Sequence, residues 1–199
     1  MTSIVQHEPL EAYLRSAPLI DVDAPEIGEF VDANLGGCTP TEAARRVFHF
    51  VRDQVAHSWD AQQRRVTRSA TETLRYREGI CYAKSHLVAA LLRRHGVPTA
   101  VCYQRLTLLD DDSAGYALHA LNAAFLEGGW YRFDARGNKP GVDAQFSPGV
   151  ERLAFPIRPH FDEIDYPELY AEPHPRIVET LTTNDDALLM YRERLPARL

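Results

Sequence analysis

The chain has 199 residues, of which 25% are charged and 45% hydrophobic, a balance that lets one good core form, and a single domain spanning residues 1–199 is expected. Its net charge is −6, with Lys and Arg scattered singly among the acids, so it has no electrostatic footprint for a phosphate backbone or an anionic membrane, and neither nucleic acid nor membrane is an expected partner. Met1 to Pro9 have no basic start and no apolar stretch of signal-peptide length, and no later segment could cross a bilayer, so a cytoplasmic protein is expected.

No repeat or low-complexity stretch divides the sequence, and the first third reads as helical. Thr39-Pro40-Thr41-Glu42 has the form of a capping box with proline at the first helical position. It opens a run in which Val47, Phe48, Val51 and Val55 recur at helical spacing, predicting a helix to about His57. Residues 58–70 are polar without a period and predict a surface loop, followed by a short helix capped by Ser69 ahead of Glu72.

Gly79-Ile80 leads into Cys81, after which Ala83, Leu87, Val88, Leu91 and Leu92 form an apolar stripe, and Arg93-Arg94-His95 precede Gly96 at a C-cap. Cys81 is therefore expected at the start of a buried helix. Beyond Pro98 the period shortens: Thr99 to Leu109 predicts a strand, Asp110-Asp111-Asp112 a turn, and Tyr116 to Leu126 a second strand. Glu127-Gly128-Gly129 marks a hairpin, and Trp130-Tyr131-Arg132-Phe133 starts the strand that carries Asp134. From about residue 155 to 199, Pro156, Pro159, Pro167, Pro173 and Pro175 alternate with acids and predict an extended strap, closed by helical turns around Ile177 to Leu181 and Asp185 to Arg194.

Three cysteines, an odd number, argue against a disulfide framework and leave at least one thiol for chemistry or plain burial. A thiol is a useful nucleophile as the thiolate, which a helix start favours through the dipole and the unpaired backbone N–H groups. Cys81 has that placement, Arg77 and Lys84 add positive charge, and the N–H groups around it could hold an oxyanion. The blander reading, a buried small hydrophobe, fits Cys102 in its β-rich run; Cys38 beside Gly36-Gly37 reads as a loop thiol. Among eight histidines, His119 lies inside the apolar run Leu118-His119-Ala120-Leu121, where an imidazole needs a specific partner.

Asp134, across the hairpin, can accept from that imidazole and fix its tautomer; otherwise it caps the turn at Ala135-Arg136-Gly137-Asn138. With Gly128 and Gly129 as an even-length loop, residues on one face have an odd index sum, as His119 and Asp134 do. A strict two-residue turn of these glycines leaves the pair out of register, so a four-residue loop or a bulge is expected to join them. Trp59, Tyr82 and Gln104 are weaker candidates for lining a substrate cleft or donating to an oxyanion. His86, five residues beyond Cys81 on one helix, points elsewhere, and His160-Phe161-Asp162-Glu163 and His174 lack zinc spacing and read as solvated.

The sequence resembles the transglutaminase-like superfamily over roughly residues 40–140. The resemblance is carried by Arg77-Glu78-Gly79-Ile80-Cys81-Tyr82-Ala83-Lys84-Ser85-His86-Leu87, His95-Gly96-Val97-Pro98, His119-Ala120-Leu121-Asn122 and Trp130-Tyr131-Arg132-Phe133-Asp134. Val51-Arg52-Asp53, His57-Ser58-Trp59-Asp60 and Ala135-Arg136-Gly137-Asn138-Lys139-Pro140-Gly141 are similar to a bacterial branch of small, free-standing members. The resemblance implies an α+β, papain-like fold, with N-terminal helices and the cysteine helix packed on an antiparallel sheet. It also implies acyl transfer through a thioester, with Cys81 as nucleophile, His119 as base and Asp134 as orienting acid, acting on a peptide or a small amide or acyl substrate. No cofactor and no metal are required. Arylamine N-acetyltransferases share this geometry and similar spacing, and an arylamine-type N-acyltransferase stays an alternative, lowered because the arginine-glycine-glycine lead into the cysteine and the extra C-terminal domain are not seen. A zinc site built on Cys81, His119 and Asp134, and a non-catalytic binding module on the same fold, are the rival readings.

Overall fold

The computed structural model describes residues 4–108 and 114–199; the expected turn at Asp110-Asp111-Asp112 lies outside them. Strand β1 (Val5–Gln6) and a 3-10 turn (Leu10–Leu14) precede α1 (Pro25–Leu35) and α2 (Pro40–Gln54). The reciprocal cap at α2 is formed: Glu42 N donates to Thr39 Oγ1 at 3.4 Å, and Thr39 N donates to the Glu42 carboxylate at 2.9 Å. Ala43, Ala44, Val47, Phe48 and Val51 give this helix one fully buried face. It stops at Gln54, short of His57, because Val55 turns extended and β2 (Ala56–His57) pairs in parallel with β3 (Glu78–Gly79). The backbone groups of Ala56 and Ser58 find partners there, donating to Arg77 O and Gly79 O.

Helix α3 (Ala70–Tyr76) starts as expected, with Glu72 N donating to Ser69 Oγ at 3.2 Å. At its end Arg77 adopts φ 56°, and the chain re-enters immediately through β3 into α4 (Cys81–Arg94). Gly79 is required at this entry: a Cβ there would lie 2.9 Å from both Ala83 Cβ and Thr67 Oγ1. Helix α4 is more than the single apolar stripe read from its sequence. It is buried on all sides from Cys81 to Arg93, packed between the sheet and helices α1, α2 and α3. Leu87, Val88, Leu91 and Leu92 are fully buried, worth about 1.5–3 kcal/mol each. Its polar residues are buried with them. Arg93 donates to the carbonyls of Thr99, Arg15 and Ala171, and Lys84 Nζ donates to Val55 O.

Strands β4 (Thr99–Thr107), β5 (Tyr116–Leu126), β6 (Gly129–Phe133) and β7 (Ile164–Asp165) form an antiparallel sheet in the order β6-β5-β4-β7. The β5–β6 turn is Glu127-Gly128, not Gly128-Gly129, with both residues at positive φ (52° and 85°) between the paired Leu126 and Gly129. No longer loop or bulge is present. Asn122 faces Phe133, so Asp134 sits diagonally from His119 just past the end of β6, where the chain leaves the ladder.

The proline-rich segment is only partly a surface strap. It supplies β7 to the sheet edge, β8 (Glu168–Leu169) in parallel with β1, and helices α5 (Pro175–Thr182) and α6 (Ala187–Glu193). Leu169, Ile177, Leu181 and Met190 are core residues. Among the described residues no helix is long and apolar enough to cross a membrane. The architecture is α+β, with the cysteine helix laid on an antiparallel sheet.

Candidate active site

Cys81 is the first residue of α4, and the preceding Ile80 offers no side-chain cap, so the N–H groups of the first turn are left uncapped at the thiol. The thiol is 7% exposed and opens into a cleft of about 640 Å³. His119, also on the cleft wall, is hydrogen-bonded through Nε2 to Asp134 Oδ2 at 2.7 Å. Nε2 being taken by Asp134, Nδ1 is the ring nitrogen free to face Cys81, whose sulfur acts electrostatically on the imidazole. The imidazole stands edge-on to Phe155, with centroids 5.2 Å apart.

Asp134 is buried and fully occupied. Its Oδ1 accepts from Arg136 N at 2.9 Å, and its Oδ2 accepts from Ala154 N at 3.3 Å as well as from His119. The two sequence readings of Asp134 therefore coexist: it caps its own turn, and by doing so is aimed at the imidazole. Burial pushes this carboxylate up, but the imidazole and the two backbone N–H donors outweigh burial and hold it low. Burial likewise disfavours the charged imidazole, yet Asp134, and then the Cys81 sulfur, raise His119 to about 10.

The weaker candidates separate. Trp59 lines the cleft, stacked on Tyr191 of α6 with centroids 4.6 Å apart and planes at 14°. Tyr82 is fully buried behind the cleft, where its hydroxyl donates to Leu118 O at 2.8 Å and ties the cysteine helix to the strand next to His119. Gln104 is the direct register partner of His119 on β4, buried, with Oε1 lacking a hydrogen-bond partner. It is not in the cleft lining. Arg77 lies over the Phe50 ring at 4.4 Å, away from the cleft.

Other residues reach the site unannounced by local pattern. His57 lines the cleft; burial first, then the nearby Arg136, push its pKa well below the ordinary histidine value, and its Nδ1 has no hydrogen-bond partner but lies 3.9 Å from Asp60 Oδ2. Arg136 and Lys139 share the Asp60 carboxylate, at 3.1 Å (Nη2) and 2.9 Å. Glu163, read as solvated, is buried instead, lines the same cleft and is bonded by Arg158 and Thr107. His160 is exposed, and His174 caps α5 by accepting from Arg176 N. Cys102 is buried in β4, its thiol pushed up to about 12 by burial, and Cys38 is half-buried. His86 is fully buried within the helical packing. Among the described residues no group of three or more His, Cys, Asp or Glu side chains could hold a metal ion.

Comparison with known proteins places these elements in context. The family model described as the transglutaminase-like superfamily matches residues 31–135, more than half the chain, from α1 through Cys81 and His119 to just past Asp134. Among solved structures, a protein from Cytophaga hutchinsonii described as a putative cysteine protease is similar in fold, with a TM-score of 0.51 and 20% sequence identity. The match covers 64% of this chain and 42% of that one, so it spans less than half the length of that neighbour. No curated protein matches the chain.

Proposed function

Because the chain belongs to the transglutaminase-like superfamily, we propose that it is a cysteine-dependent acyl-transfer enzyme in which Cys81 attacks, His119 moves the proton and Asp134 orients His119. The observation that carries this reading is the relay itself. One imidazole nitrogen is bonded at 2.7 Å to a buried carboxylate, and the ring shares a cleft with a thiol at an uncapped helix start whose sulfur acts on it electrostatically. In the acylation step the Sγ–C bond forms as the amide C–N bond breaks, and the proton leaves the thiol for His119 and passes to the departing amine. The uncapped N–H groups of the first turn of α4 are the nearest donors for the oxyanion. Water or a second amine then attacks the thioester and returns the proton through His119 to the leaving sulfur. The substrate class is an amide or related acyl group on a peptide or small molecule, and no cofactor enters the chemistry.

Labelling with iodoacetamide near neutral pH tests the proposal. Cys81 should be alkylated at least about tenfold faster than the half-buried Cys38, and Cys102 should stay protected by burial. His119→Ala should remove the excess. Equal rates at Cys81 and Cys38, unaltered in His119→Ala, would sink the acyl-transfer reading.

A further inference from the structure

We propose that the edge of β5 beside His119 is a docking strip for an extended peptide bearing an apolar side chain, and that the chain's own Leu195–Pro196 occupies it in the resting protein. This deepens the acyl-transfer reading and rests on it for the identity of the reacting thiol. Strand β6 ends at Phe133, opposite Asn122, so from there towards Tyr116 that edge of β5 is not covered by β6. Leu118, the residue before His119, donates its N–H across this open edge to Pro196 O at 2.8 Å. Leu195, next to that carbonyl, is one of the cleft-lining residues together with Cys81 and His119.

A main-chain carbonyl bonded to an open strand edge, with the adjacent side chain in a pocket, is how an added β-strand is recognised. The carbonyl of the same Leu118 points to this same edge and accepts from the Tyr82 hydroxyl on α4, so at this residue the N–H is the group left for an added peptide. A peptide laid along it would run past His119 and the thiol, which suits an enzyme whose substrate carries an amide.

The occupant is lightly tied compared with what precedes it. Helix α6 is anchored by Asp186, whose Oδ1 accepts from Leu188 N and Leu189 N, and by Ala187 N donating to Arg64 O. Beyond Arg194, the bond from Leu118 is the single backbone hydrogen bond of the segment among the described residues, joined by partly buried Leu195 and Leu199. A competing peptide has little to displace.

The test uses the full chain carrying Leu195→Asp, with Leu195→Ala as a milder second variant. Two reagents are compared at Cys81: iodoacetamide, which needs no strip, and a leucine-bearing dipeptidyl chloromethyl ketone, which does. The ratio of peptidyl to iodoacetamide rates should rise at least about tenfold in Leu195→Asp and by a smaller factor in Leu195→Ala. In parallel, a fluorescent peptide with the sequence of residues 194–198 should bind the Leu195→Asp protein at least about tenfold more tightly than the unmodified chain, read by anisotropy. Ratios and affinities that stay within about twofold, or fall, would overturn the proposal. If Cys81 shows no excess reactivity toward either reagent, the acyl-transfer reading fails, and the anisotropy measurement alone still decides whether the strip exists.

Discussion

At His119, burial and charge pull in opposite directions, and the charge wins: the ring is raised to about 10 because a buried carboxylate and a sulfur flank it. Under the acyl-transfer reading, the imidazole must be protonated to deliver a proton to the leaving amine. Activity should therefore persist through neutral pH and fall only as pH approaches about 10. Asp134→Asn removes the largest opposing charge and should draw that falling limb toward the ordinary histidine range; a limb unmoved in Asp134→Asn would show that another group sets it. The same linkage bears on stability. A histidine raised from 6.5 to about 10 stabilises fully below pH 6.5, and the contribution drains away as pH climbs through 10. The depressed Asp134 contributes above its unfolded pKa and is lost in acid. Cys81, His119 and Asp134 could be nominated from sequence because each leaves a local mark: a glycine before a helix start, an imidazole in an apolar strand, an acid at a strand end. His57, Arg136 and Tyr191 leave no such mark. They reach the cleft through β2–β3 pairing, an ion pair to Asp60 and a ring stack, which depend on contacts between distant segments.

The elements were legible where local chemistry specified them and blurred where pairing did. The caps at Thr39 and Ser69, the start of α4 and the limits of β5 follow from residue type alone. The early end of α2 does not, because Ala56 and His57 turn extended to pair with residues more than twenty positions away. The hairpin was misplaced by one residue because turn chemistry favours glycine at both positive-φ positions, whereas Glu127 occupies the first, its carboxylate accepting from Thr41 Oγ1 at 3.0 Å. Two junctions hold the cysteine helix: the close approach of Gly79 to Ala83 and Thr67 at its entry, and the bond from Tyr82 to Leu118 O, which ties it to the histidine strand. Gly79→Ala forces a methyl against Ala83 and Thr67 and should cost about 1–3 kcal/mol, read as a lowered urea midpoint. Tyr82→Phe leaves a buried carbonyl unpaired and should cost about 1–2 kcal/mol. If Tyr82 positions the site, Tyr82→Phe should also slow iodoacetamide labelling of Cys81, while Gly28→Ala, made next to Arg94 at the far end of α4, should not. Equal labelling rates in Tyr82→Phe and the unmodified chain would assign Tyr82 to stability alone.

For the molecule as a whole, the C-terminal segment from about residue 155 is structural as well as cleft-forming, which changes how it can be probed. Cutting the chain after about Pro156 would remove Leu169, Ile177, Leu181 and Met190 from the core, at about 1.5–3 kcal/mol each. Against a typical total stability of about 5–15 kcal/mol, that loss unfolds the protein before substrate range can be read. A single side chain serves better. Tyr191, from α6, stacks on Trp59 and stands edge-on to His57, with centroids 5.9 Å apart, so it joins the C-terminal segment to two other residues lining the cleft that holds the thiol. Tyr191→Ala should widen the cleft at a cost of about 1–3 kcal/mol, while Tyr191→Phe keeps the stack. With aryl esters of increasing acyl size as reagents, Tyr191→Ala should raise the rate for a bulky acyl group relative to acetyl by about tenfold, and Tyr191→Phe should leave the ratio where it was. A ratio that rises equally in both variants would point to the hydroxyl and not to ring bulk. A ratio unchanged in Tyr191→Ala, with the protein still folded, would mean that the acyl group lies against other lining residues, of which Phe155, Pro156 and Arg158 face the same cleft.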